Sequence, residues 1–155
     1  MEISKIVNLS NNYKNQLFSL WNSEYPLEIT YKSIKEFEYY LNGLQNPTHF
    51  FIKDNADVSL GWSFTFYRDS EVWFGIIIHS DYQGKGYGTH LLNAMKLMYE
   101  KLNGWVIPSN TYKRSNGESY VSPLRFYTNQ GFEMDLNKEI PINKINVIKI
   151  KWHKI

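Results

Sequence analysis

The chain of 155 residues has no cysteine, which excludes disulfides, a thiol nucleophile, zinc–thiolate sites and dithiol redox chemistry. It also has almost no excess of charge: 17 Lys and Arg against 15 Asp and Glu leave +2, too little to call for nucleic acid. Its longest apolar run, residues 72–78, is far shorter than the roughly 20 residues of a membrane helix, and no basic-plus-apolar leader opens the sequence. His49, His90 and His153 have no metal-ligand spacing among themselves or with carboxylates, so no metal site is expected. No period repeats. A cytoplasmic protein without membrane or nucleic-acid partners is the expectation.

Aromatic residues, by contrast, are abundant, at 17% with 12 Tyr and 5 Trp. With 43% hydrophobic residues this is the composition of a folded chain, and its length suits one domain covering residues 1–155. Alternation predicts a strand over residues 2–7 and helical spacing a helix over 12–21. Ser33 followed three places on by Glu36 forms a capping box that starts a second helix, which Gly43 ends. Strands are predicted over 49–53, 58–67 and 72–78, joined by short polar turns as an antiparallel meander, the last of them continuously apolar like a covered central strand. From Thr89 the period changes: Leu91, Leu92, Met95, Met98 and Leu102 make one stripe, read as a long helix ended by Asn103-Gly104. A short strand over 105–107, a polar loop over 108–118, a helix over 124–129 opened by Pro123 and stopped by Gly131, and strands over 132–136 and 145–150 complete the order. The last strand, with Val147, Ile148, Ile150 and Trp152, is a candidate edge for pairing with a second subunit, so monomer and homodimer both stay open. The implied fold class is α/β (α+β): one mixed, mostly antiparallel central sheet with helices on both faces.

The informative segment lies between the buried strand and the long helix. Gly84, Gly86 and Gly88 leave successive backbone amides uncovered at a helix N-terminus, an arrangement that receives phosphate. A nucleoside-triphosphate loop would place Ser or Thr after the lysine, whereas Gly86 follows Lys85. A dinucleotide fold would place its glycines after the first strand with an acid about 20 residues on, and here they follow the fourth.

The run Gln83-x-x-Gly86-x-Gly88, followed by Thr89, Leu91 and Leu92, resembles the acetyl-CoA signature of the GNAT superfamily of N-acetyltransferases. Phe126-Tyr127-x-x-x-Gly131-Phe132 resembles its second signature, and the order of elements agrees over roughly the whole chain. The resemblance implies a GNAT-like acyl-CoA N-acyltransferase fold whose sheet splits between its fourth and fifth strands, with coenzyme A in the split. It implies cofactor contacts from Ile77, Ile78 and His79 at the strand end and from Gln83, Gly84, Lys85, Gly86, Tyr87, Gly88 and Thr89 in the loop and first helical turn. Gln83 stands where relatives more often have Arg, which shifts binding toward backbone amides, with Lys85 as a mobile compensating charge. Tyr127 is implied as the acid that protonates the departing thiolate. Glu71 is the candidate base and His79 a weaker one. Tyr120 occupies the place of a family Asn, so a cofactor-contacting amide is displaced, with Asn110 and Asn116 as possible substitutes. Tyr25, Tyr31 and Tyr120 are candidate acceptor-binding aromatics, and Trp21 is read as core. The implied activity is transfer of acetyl from acetyl-CoA to a primary amine of a small molecule, without metal. A peptide or protein acceptor and a silent CoA-binding protein remain as alternatives.

Overall fold

The computed structural model describes residues 2–142 and 144–155, with side chains at all of these except 136–139. Its elements run β1 (Ser4–Ile6), α1 (Asn11–Glu24), α2 (Ile34–Asn42), β2 (Gln45–Lys53), β3 (Ser59–Arg68), β4 (Glu71–Ile78), α3 (Tyr87–Met98), β5 (Lys101–Val106), α4 (Leu124–Asn129), β6 (Glu133–Ile142) and β7 (Ile145–His153). Among the described residues the strands form one sheet in the order β1-β2-β3-β4-β5-β7-β6, antiparallel except where β4 meets β5. No helix in them is long and apolar enough to cross a membrane.

Local chemistry accounts for the helix starts. The Ser10 hydroxyl accepts from the Tyr13 amide at 3.2 Å, and Ser33 accepts from the Glu36 amide at 3.3 Å, each satisfying a donor with no partner inside its helix. The carboxylate of Glu36 reaches back to the amide of Lys32 at 3.2 Å, one residue earlier than the usual box. Strand alternation then divides the core. Phe51, Trp62, Phe64 and Trp73 point to α1 and α2, packing with Leu17, Trp21 and Phe37. Phe50, Ile52 and Phe74 point to α3 and α4, against Leu91, Met95, Tyr127 and Phe132. Helices therefore cover both faces, as the pattern of the sequence predicts.

The chain after α3 departs from that pattern. The predicted long helix stops at Met98, Tyr99 turns extended, and Leu102, Asn103 and Gly104 belong to β5. Leu102 happens to continue the helical stripe, but it is buried as part of β5, packed with Leu91, Leu92 and Met95. Gly104 does not stop a helix; a Cβ there would lie 2.9 Å from the ring of Phe74, so its role is to let a neighbouring strand approach. Pro141 is also in a strand: it pairs with Asn146 in the β6–β7 hairpin, where the outer position of β6 tolerates the missing N–H. β7 is consequently an interior strand between β5 and β6, and the expectation that it forms a free edge for a second subunit is corrected.

Between β4 and β5 the register holds only Trp73 against Asn103, with the Asn103 side-chain amide donating to the Val72 carbonyl at 3.2 Å. Beyond that point the edge of β4 faces a cavity and not a strand. The His79 amide donates to the Leu60 carbonyl on the β3 side at 3.0 Å. Successive residues alternate, so the backbone groups of Ile77 face β3, while those of Ile76 and Ile78 face the opening.

Candidate active site

Two cavities meet in the opened sheet. One, of about 470 Å³, lies between the end of β4, the glycine loop with the first turn of α3, and the segment leading into α4; Ile76, Ile77, Ile78, Gln83, Gly84, Gly86, Tyr87, Gly88 and Thr89 line it. The other, of about 550 Å³, is walled mainly by aromatic rings from α1, α2, β3, β4 and β5. Tyr25, Ile76, Tyr120, Pro123 and Tyr127 line both.

Gly84 and Gly86 have φ of +77° and +85°, and nothing stands within 4 Å of where a Cβ would be on either. These glycines serve a left-handed turn around empty space, which is what a loop wrapping a phosphate needs. Gly88 differs: its Cβ would lie 3.2 Å from Phe126, so it lets α4 pack against the start of α3. The first backbone bond of α3 that reaches back to Gly86 comes from His90, which leaves the amides of Tyr87, Gly88 and Thr89 without partners inside the helix. The Gln83 side chain donates to the Ile78 carbonyl at 2.9 Å, bracing the loop against β4. Thr89 accepts from Gln130 at 3.3 Å, joining α3 to the end of α4.

Tyr127 stands where the cavities join, only 6% exposed. Its ring is packed edge-on to Phe74, Phe126 and Phe132 at 5.7, 5.2 and 5.5 Å. Burial, with Tyr25 and Tyr120 adding to it, holds its pKa well above the ordinary phenol value. The group is therefore a neutral O–H donor at any physiological pH. Tyr25 and Tyr120 are raised by burial as well. Tyr31, pushed up to about 12 by burial and then by Glu36, lines the aromatic cavity alone.

Other expected residues lie elsewhere. Glu71 opens β4 at the end away from the glycine loop, 49% exposed with its carboxylate 3.6 Å from Lys149, and it lines neither cavity. The eight residues of extended β4 separate Glu71, the expected base, from the glycine loop by roughly 25 Å. His79 also lines neither cavity; its Nδ1 accepts from the Asp81 amide at 3.1 Å and caps a tight turn. Lys85 rests its ammonium over the Tyr82 ring at 5.3 Å and is absent from the cavity wall. Asn110 and Asn116 accept from the Ser122 and Glu118 amides and so shape the loop. Trp21 is core, though one side of it reaches the aromatic cavity.

Sequence reasoning missed Glu24. This carboxylate, 7% exposed, accepts from the Ser80 amide and hydroxyl at 3.2 Å and lies 3.3 Å from Arg114, itself 13% exposed. It ties α1, the segment after β4 and the long loop together at the cofactor-side cavity, whose wall it joins. Residues 24, 80 and 114 are too far apart in sequence for any spacing rule to link them.

A domain described as "Acetyltransferase (GNAT) domain" matches residues 46–134, and the chain belongs to that family. No curated protein matches the sequence. Among solved structures it is similar to an aminoglycoside 6'-N-acetyltransferase complexed with coenzyme A, at 17% identity over 99% of this chain and 97% of the other, TM-score 0.69. It is likewise similar to a spermidine/spermine N-acetyltransferase from Vibrio cholerae, at 19% identity over 98% and 92%, TM-score 0.64. A Streptococcus mutans protein aligns at 17% identity over 99% of both chains, TM-score 0.69.

Proposed function

We propose that this protein transfers the acetyl group of acetyl-CoA to the primary amine of a small molecule. The observation that carries the reading is the meeting of two cavities at Tyr127, one under a loop of open, left-handed glycines and the other enclosed by aromatic rings. The residues present suit coenzyme A. Amides of Tyr87, Gly88 and Thr89, with the positive end of α3 behind them, would hold the pyrophosphate, and the outward backbone groups of Ile76 and Ile78 would pair with the pantetheine arm. When bound, acetyl-CoA supplies a thioester whose C–S bond breaks as the amine lone pair forms the new C–N bond.

Tyr127 donates its phenolic proton to the departing sulfur and regains one released by the amine nitrogen, so the enzyme returns to its starting state. The residues common to both cavities include phenols and no carboxylate, and Glu24 is committed to Ser80 and Arg114. The amine therefore enters neutral, and its proton leaves through water to Tyr127 and solvent. A cavity of about 550 Å³ lined largely by aromatic rings suits a compact acceptor. The long loop is fastened to the segment after α1, where Arg114 pairs with Pro26 and the Leu27 amide donates to the Lys113 carbonyl at 2.9 Å.

The test is free-thiol release from acetyl-CoA against a panel of small amines, free peptides and lysine-containing peptides, beside a coenzyme A titration. Thiol release with small amines is the expected result. Binding without release from any member would leave a silent CoA-binding protein, and no binding would remove the reading altogether.

A further inference from the structure

Resting on that reading of the two cavities, we propose that the acceptor is a primary amine with a bulky apolar body and a carboxylate at the end remote from the amine, and that Arg68 binds the carboxylate. Arg68 and Glu36 are the side chains of fixed opposite charge lining the aromatic cavity. Glu36 is already engaged by the Lys32 amide at the start of α2. The Arg68 guanidinium has no carboxylate partner among the described residues; it lies 5.1 Å over Phe66 and 5.7 Å over Trp73. Its charge also reaches the buried Tyr40 phenol, where it opposes the upward shift that burial causes.

A second cation crowds the same ring: Lys149 stands 5.2 Å over Trp73, with the half-exposed Glu71 carboxylate 3.6 Å from it. At this end of the cavity the rings of Phe66 and Trp73 already carry protein cations, and a further positive charge placed beside them would be repelled. A carboxylate meets the opposite situation. A guanidinium presents a planar fork of donors to it, and Arg68, exposed at the end of β3, lines the cavity. From Trp73 to Ile76, where the cavities join, three strand residues span ~10 Å, which sets the distance between the acceptor's amine and its carboxylate. This chemistry differs from that of polyamines and aminoglycosides, which carry several cations.

The experiment compares kcat/KM for phenylbutylamine, the same amine with a carboxylate para on its ring, and spermidine. Wild type should prefer the carboxylated amine by about tenfold or more, Arg68→Gln should bring that ratio to about one, and Arg68→Lys should keep part of it. A ratio of one or below in wild type, a preference for spermidine, or a ratio unchanged in Arg68→Gln overturns the assignment. If no amine releases thiol, the transferase reading fails but the subsite is still measurable. Calorimetry of phenylbutyrate with the CoA-saturated protein should then show binding that Arg68→Gln abolishes, and no binding to wild type would reject the subsite.

Discussion

Tyr127 is held by three aromatic rings, so removing its hydroxyl takes away a proton donor and no packing. Tyr127→Phe should bind coenzyme A within about twofold of wild type and lower kcat by ~10²–10⁴. Because burial raises its pKa, kcat should show no alkaline limb from this group up to pH about 10; a wild-type limb well below that which vanishes in Tyr127→Phe would refute the role. His49 gives a second prediction. It is buried, accepts from the Trp62 indole at 3.0 Å, and burial lowers its pKa from 6.5 to about 4. The unfolded chain thus binds the proton more readily, so stability is unaffected by this group above pH about 6.5 and falls as pH drops toward 4, by up to about 3 kcal/mol. Denaturation midpoints of His49→Gln across that range should lack this component. At this scale type and motif singled out Tyr127, which lines both cavities, and were silent where a placement depends on distant partners. Glu71 opens its strand beside Lys149 and lines neither cavity, whereas Glu24 is placed by Ser80 and Arg114.

The glycine loop and α3 act as one element. Gly86→Val would force a β-branched residue to φ +85° and put a side chain into the space around the turn. It should lower coenzyme A affinity by 100-fold or more in a titration, with a stability cost of about 1–3 kcal/mol. Gly104→Val tests a different role. Its Cβ would press on the Phe74 ring, so thermal unfolding should record about 1–3 kcal/mol of overpacking. The capping box, the meander and the glycine loop were all readable from local chemistry. The end of α3 was not, because Leu102 fits a helical stripe and a buried strand equally well, and only pairing of β5 with β7 decides between them.

Across the whole molecule the two halves of the sheet share one paired register between β4 and β5, and the cofactor would fill the opening between them. Coenzyme A at 100 times its Kd should raise stability by about 2.7 kcal/mol. Hydrogen exchange should slow at the Ile76 and Ile78 amides and change little at Ile77, whose amide already faces β3; equal protection at all three would contradict the proposed pantetheine contact. Glu24→Ala should cost about 1–3 kcal/mol, since the Ser80 amide and hydroxyl lose their acceptor while Arg114 keeps Glu118 at 2.6 Å. The sequence by itself determined the family, the order of elements and the loop of open amides, because periodicity, caps and glycines act over a few neighbouring residues. Tertiary structure alone decided that β7 is interior, that Glu24 and not Glu71 borders the cavities, and that Arg68 faces an aromatic chamber beside a second cation. Those facts arise from strand register and long-range packing, which bring together residues that no local spacing connects.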